Sequence, residues 1–359
     1  MTERRDFYAA QARNRRLTWL LVLGFVSLLA AIGLAADTFV FGSFAPGSGG
    51  FPVVSLLAAA VGSVQSYAAY MWGDRAVLNS LHAAHLATPA TAEERELDNV
   101  VTEMSIASGL PKPKIYVVDD PAPNAFATGR DPQHASIGVT RGLLERLDRE
   151  ETQGVIAHEM AHIRNFDIRT MTLVAAMAGT LALVADWSAR ALRSGAGSTG
   201  GERRGRSGER SGGGASPLAL VAIVFVVLAP ILSRLLATAV SRQREYLADA
   251  TGVELTRNPT GLARALERIR SFHSPLKRAT QGSAHLFISD PLERKLDDRE
   301  SLVADVFSTH PPLDKRIARI RAMGYLAGSG DQAGMAESMR AGAGTAALHP
   351  GVSAPARRA

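Results

Sequence analysis

A five-residue string carries the clearest chemical pattern in this sequence: His158-Glu159-Met160-Ala161-His162. On an α-helix, residues i and i+4 lie one above the other, so the two histidines would offer their imidazoles to one metal ion. Glu159 would stand beside that ion as the general base that activates a bound water. The surrounding range 152–163 has an apolar back face that suits a helix. The string predicts a zinc hydrolase site, although a pattern with three fixed positions also arises by chance.

A catalytic zinc ion usually has three protein ligands and one open position for water. We predict Glu245 as the third ligand, because it follows the fourth apolar run of the chain just as the histidines precede the third. A hairpin of these two runs would return Glu245 to the level of the histidines. The residues alone leave an equal alternative, a solvated helix carboxylate paired with Arg242 or Arg244.

Two further carboxylates are placed to orient a ligating histidine by accepting its second ring N–H. Asp249 lies one helical turn beyond Glu245 on the same face, and Asp167 follows His162 closely. For both carboxylates, a position on the solvated surface is the alternative interpretation.

Composition narrows the classes of function. The chain has no cysteine, which excludes disulfides, thiol catalysis, thiolate zinc sites and iron–sulfur clusters. The formal net charge is +6, a balance typical of proteins that bind nucleic acid or a membrane surface. No nucleic-acid motif and no basic stripe interleaved with aromatic residues occurs, so we favour membrane lipid as a partner and expect no nucleic acid.

Two uncharged apolar runs, at residues 17–36 and 51–72, predict a transmembrane hairpin. Each run is about long enough to cross a ~30 Å hydrocarbon core at ~1.5 Å per residue. A cleaved signal peptide is the alternative for the first run, but that run is long and a second one follows it. The segment 1–16 carries five arginines and the loop between the runs carries none, which predicts a cytoplasmic N-terminus.

A second apolar hairpin is predicted from shorter runs at residues 170–185 and 217–233. The loop 190–216 between them is rich in Gly, Ser and Arg, a composition typical of disorder. If both runs span, this basic loop lies outside the cell, against the positive-inside tendency. We therefore expect four spans, with a partly inserted or domain-packed hairpin as the alternative.

The remaining segments predict a cytoplasmic domain in two parts, residues 73–169 and 241–326, followed by a disordered tail at 327–359. The fold class expected is a mainly α membrane protein with four candidate transmembrane helices and a zincin-like α+β catalytic domain that contains a small edge-strand sheet. Its predicted elements are helices at Thr91–Ser108, 141–148, 150–165, 241–252, 259–272 and 310–323, and strands at Lys114–Val118 and Ala135–Thr140.

Four separated segments in the same order resemble the HtpX-type integral-membrane zinc metalloproteases, which are relatives of the eukaryotic CAAX prenyl proteases. The resemblance covers roughly residues 5–326, and the four apolar runs also fit that family. The matching segments are Asn124-Ala125-Phe126-Ala127-Thr128-Gly129, the His158–His162 string with Asn165 and Asp167 behind it, Ser241-Arg242-Gln243-Arg244-Glu245-Tyr246-Leu247-Ala248-Asp249, and Ser308-Thr309-His310-Pro311-Pro312 through Arg316. The long loop 190–216 and the tail depart from the family pattern without touching these motifs.

The resemblance implies one Zn²⁺ per subunit and a role for each matching residue. His158, His162 and Glu245 would be the zinc ligands, and Glu159 would be the catalytic base. The residues implied for the surroundings are Asp249 and Asp167 behind the ligands, Arg316 as a support, His310 as a stabiliser of the oxyanion, and Asn124, Ala125 and Phe126 for substrate binding. From the residues alone, His310 before two prolines more simply marks the start of a helix.

The function expected is zinc-dependent endopeptidase activity against misfolded or unfolded membrane proteins, with cytoplasmic proteins as a further substrate class, for quality control. The site would face the cytoplasm at the bacterial inner membrane. The alternatives are a catalytically silent membrane scaffold and a prenyl-protein-processing protease. A transporter is disfavoured because the apolar runs carry few ionisable groups. The oligomeric state does not follow from the sequence.

Overall fold

The computed structural model describes residues 2–39, 41–43, 50–197, 242–272, 274–280, 282–292 and 311–324. Two long apolar helices, α1 (Thr2–Phe39) and α2 (Val53–Ser80), pack side by side. Within them Asn14–Thr38 and Val53–Ser80 are long and apolar enough to cross a membrane. The buried carboxylate of Asp37 accepts hydrogen bonds from the first backbone N–H groups of α2, at 3.0 and 2.8 Å. This cap stabilises the short connection of the predicted transmembrane hairpin.

The third apolar run lies in α6 (Asp167–Gly197), directly after the helix of the histidine string, α5 (Arg149–Arg164). Their axes differ by 87°, and only the two together pass the criteria for a span. The described residues thus contain two candidate spans, or three if this bent pair counts as one. The fourth run, 217–233, and most of the loop 190–216 lie outside the described residues, as does the tail 327–359. Four spans therefore remain a prediction.

The helix that carries the histidines does not run straight on into the third apolar run. The helical hydrogen-bond ladder stops at Asn165, the C-cap of α5, and Phe166 adopts a left-handed backbone with φ 59°. A non-glycine residue in that conformation ends an α-helix. The turn sends α6 off at nearly a right angle, with Asp167 as its first residue.

A four-stranded mixed sheet forms one wall of the domain that follows α2, in agreement with the small sheet of the predicted fold. Its strands are β1 (Ala84–His85), β2 (Lys114–Val118), β3 (Ala125–Gly129) and β4 (Ala135–Thr140), in the order β1-β2-β4-β3. The β2–β4 pair is parallel, and the other two pairs are antiparallel. This order leaves β3 at the edge of the sheet.

The other helices pack around α5. They are α3 (Ala92–Ser108), α4 (Arg141–Arg146), α7 (Arg242–Thr256), α8 (Pro259–Ser271) and α9 (residues 313–324). Local signals fix several ends: a capping box of Thr91 and Glu94 opens α3, and Gly109, with φ 70°, closes it. A second capping box, of Asp148 and Glu151, opens α5. The core of this domain joins residues of α3, the sheet, α5 and α8, so α5 runs through its centre.

Candidate metal centre

Three buried side chains converge on one point. His158 and His162 lie one turn apart on α5, and their Nε2 atoms are 3.2 Å apart. Glu245 comes from α7, with Oε1 3.6 Å from Nε2 of His162 and Oε2 3.8 Å from Nε2 of His158. This is the one group of His, Cys, Asp and Glu in the described ranges with metal-binding geometry. The structure thus brings the three predicted ligands together.

Close packing of two helices brings Glu245 to the histidines. Helix α7 crosses α5 where Gly252 faces His158, and a Cβ at position 252 would lie only 3.1 Å from the backbone nitrogen of His158. A larger residue at Gly252 would push α7 away from α5. Glu245 lies two turns earlier on α7, so the approach at Gly252 helps to set its distance from the imidazoles.

Asp249 and Arg316 support His158, and Nη1 of Arg316 also lies 3.3 Å from Oε2 of Glu245. The Nδ1 of His158 lies 3.0 Å from Oδ1 of Asp249. Arg316, fully buried on α9, donates to both oxygens of that carboxylate at 2.9 and 2.7 Å. Burial opposes ionisation of Asp249, but the charge of Arg316 outweighs it and holds the pKa of Asp249 below its ordinary value. Both residues therefore lie directly behind His158, and their implied supporting roles stay a prediction.

Asp167 supports His162 from the opposite flank. Its Oδ2 lies 3.1 Å from Nδ1 of His162, and the whole residue is buried. A carboxylate oxygen can only accept, so the proton must be on Nδ1 of the histidine. The surface alternative for Asp167 does not apply. The amide of Asn14 on α1 also reaches this carboxylate, at 2.6 Å, a contact that the sequence analysis missed.

The two supporting carboxylates determine which ring nitrogens face inward. With the protons on Nδ1, the Nε2 lone pairs of His158 and His162 point at each other across 3.2 Å. Two such lone pairs repel each other unless a cation lies between them. Zn–N bonds of ~2.0–2.1 Å at tetrahedral angles would set two nitrogens about 3.3 Å apart. The donor set of two imidazoles and a carboxylate therefore fits a zinc ion.

The pKa values of the two histidines shift in opposite directions. Burial lowers the pKa of His158, and the hydrogen bond to Asp249 opposes that shift only in part. Burial also disfavours the charged form of His162, but the hydrogen bond to Asp167 and the charge of Glu245 outweigh it and raise its pKa to about 9. With protein charges alone, a proton on Nε2 of His162 thus binds where a metal ion would.

Glu159 is buried beside the ligands and keeps a free carboxylate. Burial raises the pKa of Glu159 to about 8, and Glu245 adds to the shift while His162 opposes it. The Ala127 backbone on β3 lowers that pKa, yet neither Glu159 oxygen makes a full hydrogen bond to any described residue. A buried carboxylate without a strong partner, next to a candidate metal site, suits a general base.

The residues expected to bind substrate lie on or next to the edge strand β3, where another part of the chain contacts them. The Ala125 carbonyl accepts from Ile288 N–H at 2.9 Å, and Phe126 forms an antiparallel bridge with Phe287. The Asn124 side chain donates to the Ser289 carbonyl at 3.1 Å. We call residues 287–289 the covering segment. His310 lies outside the described residues, so its implied role stays a prediction.

Comparison with known proteins adds the family. The profile of peptidase family M48 matches residues 91–324. A protease HtpX homolog of Caldanaerobacter subterraneus subsp. tengcongensis is 41% identical over 321 residues, which are 89% of this chain and 99% of that protein. Another, of Tropheryma whipplei strain TW08/27, is 41% identical over 88% of this chain and 98% of its own. The crystal structure of S. mikatae Ste24p aligns at 18% identity and a TM-score of 0.44, over 87% of this chain and 67% of that one.

Proposed function

Because this chain belongs to peptidase family M48, we propose that it is a membrane metalloprotease whose metal is zinc, bound by His158, His162 and Glu245. The resemblance to HtpX-type proteases is confirmed by relatives that align over nearly their whole length. The observation that carries the zinc assignment is the convergence of the three donors, with both imidazoles turned inward by carboxylates. Tetrahedral zinc with two His and one Glu leaves a position for water.

The chemistry proposed is hydrolysis of a peptide bond. Bound zinc would supply a water of lowered pKa and would polarise the scissile carbonyl. Glu159 accepts the proton of the attacking water and then passes it to the nitrogen of the leaving amine, so the base is regenerated. Its raised pKa of about 8 in the protein alone shows how strongly burial favours the protonated form. His310 is proposed to donate to the developing oxyanion.

The site is proposed to lie at the cytoplasmic face of the bacterial inner membrane. Asn14 is the first residue of the candidate span Asn14–Thr38, and it contacts Asp167 behind the metal centre. The metal centre is therefore level with one end of that span. Five arginines, Arg4, Arg5, Arg13, Arg15 and Arg16, lie at the same end, and such residues favour the cytoplasm.

Proposed substrates are misfolded or unfolded segments of membrane proteins near the bilayer, and of cytoplasmic proteins. Asn124, Ala125 and Phe126 would bind such a segment as an added strand on β3. The covering segment takes the hydrogen bond of Ala125, so a substrate that pairs there must displace it. Ile288→Pro removes the N–H that Ala125 accepts and should raise kcat/KM for an unfolded substrate. A lower kcat/KM with an unchanged thermal transition would contradict this competition.

The test of the proposed function uses full-length protein in bilayer discs, with casein cleavage and zinc content as readouts. Glu159→Gln should keep one zinc and lose about 10²–10⁴-fold in rate, the usual contribution of a general base. Glu150→Gln is the matched control, because Glu150 is exposed on the same helix and should retain activity. Glu245→Ala should lose zinc. Retained cleavage in Glu159→Gln would refute the assignment, and a wild-type protein inert with bound zinc would favour the silent scaffold.

A further inference from the structure

We propose that Asn14, on the first membrane helix, is a positioning residue for the zinc ligand His162 and acts through Asp167. The Asn14 amide donates to Oδ1 of Asp167 at 2.6 Å, and Oδ2 of the same carboxylate accepts from Nδ1 of His162 at 3.1 Å. One carboxylate thus joins a membrane helix to a ring of the metal centre. This inference rests on the proposed function, because it assigns a purpose to the orientation of a zinc ligand.

The Asp167 carboxylate depends on Asn14 for one of its two oxygens. Asp167 is completely buried, so water does not replace a missing partner. Among the described residues, the cation nearest to that oxygen is Arg244, whose Nη1 lies 3.9 Å away, beyond hydrogen-bond distance. Asn14 therefore makes the short contact that fixes how the carboxylate is rotated, and that rotation determines where Oδ2 meets the imidazole.

Asn14 also contacts the backbone just before Asp167. Its amide nitrogen donates a second hydrogen bond, at 3.0 Å, to the carbonyl of Asn165. Asn165 is the C-cap of α5 and Asp167 is the first residue of α6. A single amide group therefore spans the 87° break between these helices. The two N–H protons of the amide nitrogen satisfy both acceptors from one atom without adding a charge.

The interface between α1 and α6 contains a second polar contact that does not reach the metal centre. Thr18, one turn beyond Asn14, has its hydroxyl 2.9 Å from the hydroxyl of Thr170. Both threonines are buried. The Thr18 hydroxyl also donates to the backbone carbonyl of Asn14, at 2.9 Å. Thr18→Val removes both contacts but leaves the Asn14 amide and Asp167 unchanged, so it reports what loss of these helix hydrogen bonds does without loss of the amide. It is the matched control for any substitution of Asn14.

The experiment measures the zinc Kd by chelator competition on full-length protein in bilayer discs. Loss of a residue that hydrogen-bonds directly to a ligand typically costs about 10–100-fold in metal affinity, and Asn14 is one contact further away. We expect Asn14→Leu to weaken zinc binding about threefold to tenfold and to change the visible spectrum of the Co²⁺-substituted protein. Thr18→Val should leave both readouts at wild-type values.

A double-mutant cycle separates action through Asp167 from general perturbation. In an Asp167→Ala background, Asn14→Leu should have no further effect on the zinc Kd. Equal effects of Asn14→Leu and Thr18→Val, or full additivity with Asp167→Ala, would overturn the inference. If Asn14→Leu fails to fold, Asn14→Ala in the same cycle gives the answer. If the proposed function is wrong, the result differs, because Glu245→Ala then has the same zinc Kd as the wild type.

Discussion

On each flank of the metal centre a buried carboxylate orients a histidine, but different groups hold the two carboxylates. On the His158 flank, a carboxylate 3.0 Å from Nδ1 is held by the guanidinium of Arg316, all within the catalytic domain. On the His162 flank, a carboxylate 3.1 Å from Nδ1 is held by the neutral amide of Asn14, which belongs to a membrane helix. The distances match, but the group that donates to each carboxylate differs in charge, because the guanidinium of Arg244 stays 3.9 Å from Asp167.

Each flank of the metal centre is connected to a different part of the molecule. Arg316 also donates to the Ile288 carbonyl at 2.7 Å, and Ile288 in turn pairs with β3. The His158 flank is thus connected to the strand edge where substrate is proposed to bind. The His162 flank is connected to α1 and through it to the bilayer. The metal centre thus has the covered edge of β3 behind one flank and a candidate membrane helix behind the other.

The largest expected effect tests the charged flank. Arg316→Met leaves the Asp249 carboxylate buried without its cation, and breaking such a pair typically costs about 3–5 kcal/mol. We expect loss of zinc and a large fall in the free energy of unfolding, both measured on the same preparation. Arg319→Met on the same helix is the control, since Arg319 is exposed and contacts the Tyr246 ring. Similar losses of zinc and of unfolding free energy in both variants would show that the charge behind Asp249 is not the cause.

The same substitution on each flank compares them directly. Asp249→Asn leaves the buried Arg316 without a full counter-charge, whereas Asp167→Asn faces a neutral amide. We expect zinc affinity to fall about 100-fold for Asp249→Asn and about 10-fold for Asp167→Asn, the two ends of the range for such partners. Zinc competition titrations check both values. A reversed order would show that the identity of the backing group does not matter.

A smaller effect should appear in the pH dependence of zinc binding. In the protein alone, Asp167 and Glu245 overcome burial and raise the pKa of His162 to about 9, so below that pH a proton must leave before zinc binds. Zinc affinity should fall about tenfold between pH 8.5 and 7.5. The Asp167→Asn variant should show a shallower dependence, because its His162 loses the carboxylate charge. Equal slopes in the two proteins would contradict this origin.

The smallest effect concerns packing on the membrane flank. A Cβ at Gly73 of α2 would lie 3.1 Å from Cγ2 of Thr172 and 3.4 Å from Cβ of Ala176, both on α6. Gly73→Ala should therefore cost only about 1 kcal/mol, and it should leave the zinc Kd unchanged. Thermal unfolding in bilayer discs and zinc titration test this. A weakened zinc site here would mean that any disturbance of α6 affects the metal.

Much of this arrangement could be predicted because its signals are local. The helix from Thr91 to Ser108 has its cap and its glycine stop in the sequence, and the strands Lys114–Val118 and Ala135–Thr140 match the observed bounds. The spacing of His158 and His162 set the inward face of α5. The order of the apolar runs made Glu245 a candidate beside an equal alternative, a solvated carboxylate, and the structure places Glu245 beside the histidines.

What could not be predicted depends on contacts between distant segments. Asn14 carries no motif, and its only signal is a polar residue on the same helix face as the buried Thr18, Phe25 and Leu29. The break after α5 has no proline or glycine to mark it, because Phe166 adopts the left-handed backbone. The covering segment pairs with β3 through one bridge, too short a pattern to read from sequence.

The bond between Asn14 and Asp167 joins residues 153 positions apart in the chain, and this separation has a consequence for synthesis. Asn14 leaves the ribosome long before Asp167 is made, so α1 is inserted first and waits with its amide at the membrane surface. A chain released without inserting α1 would lack that partner and would hold zinc less tightly. With the role proposed for Asn14, insertion of α1 would help to confine a fully formed site to the membrane.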